Sequence, residues 1–73
     1  MLSKNKIQEV ILASIFKHTT PDAANNMARA LELAPGSVVF GDKAIAIIED
    51  GTTRHFIIAT DGRNIVEVDP ALL

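Results

Sequence analysis

Two histidines and three serines, with the acidic side chains, are the residues from which any chemistry of this chain would have to be built. A metal site needs two or more ligands that converge. His18 reads instead as the close of a helix, where a donor suits the free carbonyls. His55 reads as a residue in the middle of a strand, beside Arg54. The chain has no cysteine, which excludes a thiol nucleophile, a thiolate metal site and a disulfide framework. Neither Ser14 nor Ser37 has the flanking glycines of a nucleophile elbow, and Ser3 reads as a helix cap. Asp42, Asp50 and Asp61 fall in three separate turns and form no carboxylate pair. Gly36, Gly41, Gly51 and Gly62 are isolated, so no phosphate-cradling loop is present. The expectation is therefore no enzyme, no cofactor and no metal.

The elements that would position these residues change character halfway along the chain. Ser3 is a candidate N-cap for a first helix over about 4–18, with Ile7, Val10, Ile11 and Ile15 recurring along one face. Thr20-Pro21-Asp22 punctuates the chain and predicts a second helix over 21–34, with Pro21 at its first position. Its inner face would be Ala24, Met27, Leu31 and Ala34, and Pro35-Gly36 would end it. Beyond Ser37 the β-branched residues dominate. Gly41-Asp42, Asp50-Gly51 and Asp61-Gly62 divide this half into strands near 37–40, 43–49, 53–60 and 63–68. Short turns between consecutive strands make an antiparallel meander. The predicted fold is α+β: one domain over 1–73, with two N-terminal helices on a four-stranded sheet.

With 73 residues and an apolar fraction of 48%, the chain carries more apolar surface than so small a two-layer domain needs. That content excludes a disordered chain. The longest apolar run, Ala44–Ile48, is too short to span a membrane, and no signal-peptide pattern precedes it. The surplus falls in two places. Leu12 and Phe16 lie one turn apart on the first helix, away from Ile7 and Ile11. In the strands, apolar residues occupy both faces: Ile45 and Ile47 against Ala46 and Ile48, and Phe56 and Ile58 against Ile57. A two-residue loop at Asp50-Gly51 pairs Ile45 with Phe56; a three-residue loop with a bulge pairs Ala44 with Phe56.

Residues 26–38 resemble the middle of a helix-turn-helix of the small phage-repressor type, which would imply a DNA-reading helix. Glu32 stands where that family places its turn glycine. The segment that should read bases, Val38-Val39-Phe40-Gly41, is β-prone. The net charge is −2, with +1 over residues 1–34 and −3 over 35–73. Lys43, Arg54, Arg63 and Asn64 on a β-ribbon are outnumbered by acids, which argues against a phosphate footprint.

The expected role is a small non-catalytic protein–protein interaction module in the cytoplasm, acting as a homodimer or in a complex. Adaptors, assembly factors and inhibitors, including those of phages and mobile elements, are of this size. The alternative is a nucleic-acid-binding regulator. The partner is another copy or another protein, with no membrane role. Candidate partner-binding residues are Leu12, Phe16, Arg54, Phe56, Ile58, Arg63 and Ile65, with Ile57, Val66 and Val68 as the alternative centre if the other sheet face is the open one.

Overall fold

The computed structural model describes residues 1–17 and 22–72, with side chains at 1–13 and 22–72. Among these, two helices, α1 (Lys4–Lys17) and α2 (Ala23–Ala30), precede four strands, β1 (Val38–Phe40), β2 (Ile45–Glu49), β3 (Thr52–Ile58) and β4 (Ile65–Val68). The strands form one antiparallel sheet in chain order, and the helices pack on one of its faces. The fold is α+β, as the sequence predicts. No described helix is long and apolar enough to cross a membrane.

Ser3 caps α1 as expected: its Oγ accepts the Lys6 amide at 3.1 Å, while its carbonyl accepts the first helical bond from Ile7. Ile7, Val10 and Ile11 are buried. Thr20, Pro21 and His18 lie outside the described residues, as does the Phe16 side chain. α2 is shorter than predicted. It starts at Ala23 after Asp22, whose side chain makes no capping bond. It stops at Ala30 rather than running to Ala34. The stop is built by Glu32, which adopts the left-handed conformation at φ 60°. The Glu32 amide donates to the Arg29 carbonyl and the Leu33 amide to the Ala28 carbonyl, a Schellman closure that usually carries glycine at this position.

The hairpin between β2 and β3 is the two-residue form. Asp50 and Gly51 both take positive φ, 52° and 77°, and Glu49 faces Thr52. That register pairs Ile45 with Phe56. The other two connections are longer than their turn pairs predict. Residues 41–44 close with the Gly41 amide donating to the Ala44 carbonyl at 2.9 Å. Residues 59–64 fold around Asp61, whose carboxylate accepts from the amides of Arg63 and Asn64 and from the Asn64 side chain. These bonds, the Arg63 amide foremost, hold the Asp61 carboxyl below its usual range.

The core joins α1, α2 and the inner sheet face. Ile7, Ile11, Met27, Ile47, Phe56 and Ile65 are its largest fully buried side chains, with Leu31 and Val38 beside them. Gln8 ties α1 to the sheet edge by accepting the Ile65 amide at 3.0 Å.

Candidate functional site

The register sorts the strand residues into two faces. Val38, Ile45, Ile47, Arg54, Phe56, Ile65 and Glu67 face the helices. Val39, Ala46, Ile48, Thr53, His55, Ile57, Val66 and Val68 face the other way. Phe56 and Ile65, expected at a partner surface, are 0% and 1% exposed and belong to the core. The physical reason is register. Phe56 stands level with Ile45 and diagonal to Ile47 and Ile65, so the helices close over it.

Arg54 is also committed internally rather than standing at a rim. Its Nε and Nη2 donate to the two carboxylate oxygens of Glu67 at 3.1 and 2.9 Å. Its Nη1 donates to the Leu2 carbonyl at 2.9 Å, and its guanidinium carbon lies 5.2 Å from the centre of the Phe56 ring. Only 11% of the Arg54 side chain is exposed. Glu49 completes the cluster by accepting the Leu2 amide. The bond to Glu67 raises the Arg54 pKa, and the same bond lowers that of Glu67. This strap between the N-terminal residues and the sheet was not foreseen. Its signal, opposite charges diagonal across β3 and β4 on one face, becomes readable only once the register is known.

The remaining candidates do not converge. Leu12 is half-buried on α1, and the Phe16 side chain lies outside the described residues. Ile58 is exposed on the helix-facing side, and Arg63 is exposed in the turn before β4. Two shallow hollows, of about 270 and 250 Å³, lie beside Lys43, Ile45 and Ile58 and between Asn25, Arg29, Leu33 and Pro35. Neither gathers a nucleophile with a base. Among the described residues no group of histidines and carboxylates could hold a metal. The segment that a helix-turn-helix would use to read bases is strand β1, in keeping with its β-prone residues, so the resemblance does not extend to the fold.

While Phe40 and Ile58 are exposed on the helix-facing side, part of the apolar surplus lies on the second sheet face. Val39, Ile48 and Val66 are 48%, 38% and 42% exposed, and Ile57, Ala46 and Val68 are half-buried between them. No Asp, Glu, Lys or Arg of the four strands projects from it. His55 is its one titratable group, and the His55 Nδ1 is buried with no hydrogen-bond partner. Eight outward side chains, about 4.8 Å apart between strands and about 6.8 Å apart between levels, give a footprint of about 260 Å². Ile57, Val66 and Val68 were the alternative centre read from sequence; Val39 and Ile48 join them. No known protein-family model, curated protein or solved structure matches the chain.

Proposed function

We propose that the chain is a small non-catalytic protein–protein interaction module that docks through the open face of its sheet, in the cytoplasm, as a homodimer or within a complex. The observation that carries this reading is the uncharged apolar face across all four strands. A contiguous apolar patch of a few hundred Å² is comparable to the largest patch of a typical monomer, and such patches are often functional. An adaptor, an assembly factor or an inhibitor would use the surface in the same way. The dispersal of the cations argues against nucleic acid: Arg54 is spent on Glu67, and Lys43 and Arg63 sit in different turns.

The test compares the wild-type chain with Ile48→Lys and Val66→Lys. Both positions are exposed, so the variants should keep their circular dichroism. Immobilised wild-type chain should retain from a lysate of the source organism a protein, which can be this chain itself, that both variants lose. Retention unchanged by either substitution would sink the docking reading. Salt-dependent retention of the chain on heparin would favour the nucleic-acid alternative instead.

A further inference from the structure

We infer that Asp50-Gly51, at the tip of the β2–β3 hairpin, is a site of spontaneous aspartate isomerisation in the folded chain, and that the other such pair, Asp61-Gly62, is protected from it. This chemistry is independent of the docking reading. Aspartate before glycine is the pair in which a main-chain amide attacks the preceding side chain most readily, because glycine has no Cβ to crowd the approach. The Gly51 nitrogen bonds to Cγ of Asp50. One carboxyl C–O bond breaks, and the hydroxyl leaves with the amide proton as water. Water then adds back to the five-membered ring. Opening at Cγ restores aspartate. Opening at the main-chain carbonyl of residue 50 leaves isoaspartate, whose chain runs through Cβ and Cγ while the former main-chain carbonyl becomes the free carboxylate. Water is the only other reagent.

The two pairs are alike in sequence and differ in their surroundings. Asp50 and Gly51 are exposed, and among the described residues neither the Asp50 carboxylate nor the Gly51 amide has a hydrogen-bond partner. At Asp61-Gly62 both reacting groups are engaged. The Asp61 carboxylate accepts from the Arg63 and Asn64 amides at 2.8 and 3.2 Å and from the Asn64 side chain at 2.7 Å. The Gly62 amide donates to the Ala59 carbonyl at 2.9 Å. Ring closure there must first break these bonds. The bonds to the carboxylate, the Arg63 amide foremost, also hold it in its charged form, and only the protonated carboxyl has a hydroxyl to lose.

The backbone of the hairpin is already part of the way to the ring. Positive φ at both central residues, 52° and 77°, is the type I′ pattern. The closed ring holds the Gly51 nitrogen level with Cγ, which sets ψ of Asp50 near about −120°, the value at the first central residue of a type II′ turn. That position takes φ of about +60°, close to the 52° of Asp50. Passing from I′ to II′ turns over the one peptide plane between Asp50 and Gly51 and reverses φ of Gly51, which glycine does without steric cost. Both turn types join two-residue hairpins, so the Glu49–Thr52 pair stays closed on the way to the reactive geometry.

The test holds purified chain for weeks at neutral pH and physiological temperature, then reads both positions by electron-transfer mass spectrometry, which separates isoaspartate from aspartate. Isoaspartate at position 50 should exceed that at 61 by about tenfold or more, the weight of one hydrogen bond to a charged group. Synthetic peptides over 47–54 and 58–65 should isomerise at similar rates, so that the ratio in the whole chain belongs to the fold. Asp50→Asn keeps a pair that suits a type I′ turn and should react faster, losing ammonia in place of water. Asn64→Ala removes a donor from Asp61 and should raise isoaspartate at 61 while circular dichroism is unchanged. Equal isoaspartate at both positions of the folded chain would overturn the inference, and so would none at 50 while its peptide reacts. A folded Asp50→Asn chain that stays unreacted would refute the reactive turn. Isoaspartate at 61 that Asn64→Ala leaves unchanged would refute the protection.

Discussion

Glu32→Gly should make the protein more stable, although it removes a side chain. Glu32 closes α2 at φ 60°, a conformation that costs a residue with a Cβ about 1–2 kcal/mol. Glycine adopts it freely, and loses about 0.5–1 kcal/mol through its freer unfolded chain. The Glu32 carboxylate also stands at the negative end of the helix dipole, and removing it returns about 0.3 kcal/mol. Glu32 is exposed and among the described residues no side-chain bond holds it, so little opposes these gains. The net effect is about 1 kcal/mol. With an unfolding entropy of roughly 0.15 kcal/mol/K for a chain of this length, the melting temperature should rise by about 6 °C. Thermal circular dichroism of Glu32→Gly beside Glu32→Ala separates the causes. Alanine loses the charge but keeps the strained backbone, so it should recover no more than about 2 °C. If alanine raises the melting temperature as far as glycine does, the left-handed closure is not what limits α2.

Four further outcomes follow from the core, the strap and the central turn. Phe56→Ala should cost about 3–5 kcal/mol, enough to unfold much of so small a domain, as urea titration would show, whereas Val66→Lys should leave the transition nearly unchanged. Arg54→Met should destabilise by about 1–3 kcal/mol, because the Leu2 carbonyl and Glu67 lose a charged donor in a half-buried setting. The Glu67 carboxyl is lowered by its bond from Arg54, so its contribution is present above the unfolded carboxylate range and drains away as pH falls through the lowered value. Stability measured from about pH 6 to about pH 3 should fall less steeply in Glu67→Gln than in the wild type. Gly51→Ala should lose about 1 kcal/mol, since Gly51 sits at φ 77° in the β2–β3 turn; an unchanged urea midpoint would contradict that turn geometry.

Features with a local cause were legible in the sequence. The Ser3 cap, the apolar stripe of α1 from Ile7 to Ile11 and the Asp50-Gly51 turn each depend on residues a few positions apart, and each formed where those residues stand; the Ile15 side chain lies outside the described residues. The end of α2 was not legible. Glu32 gives no glycine signal, and the helix-favouring run from Leu31 to Ala34 looks continuous, yet the backbone turns left-handed where the repressor-like pattern would have had glycine. The choice between the two sheet faces was equally hidden. Every strand carries apolar residues on both sides, so period alone cannot say which side the helices cover. The deciding quantity is the level at which Phe56 meets Ile45, together with the tie of Gln8 to Ile65, and both are relations between distant parts of the chain. The role of Arg54 was lost for the same reason, since its partners Leu2 and Glu67 lie on different elements.

The order of strands in the sheet also says something about how the chain finds this structure. Each strand lies beside its neighbour in sequence, so every pairing in the sheet closes only a short loop. The β2–β3 turn closes across two residues, whereas the bond from Gln8 to Ile65 spans 57. By the logarithmic cost of loop closure, the longer closure demands about 3 kcal/mol more chain entropy. The meander can zip from its central hairpin on a microsecond scale, each strand added to an existing edge. The α1–β4 tie is reached cheaply only after the intervening chain is already ordered. Folding of this chain is thus expected to be paced by the docking of the helices onto a sheet that largely assembles itself.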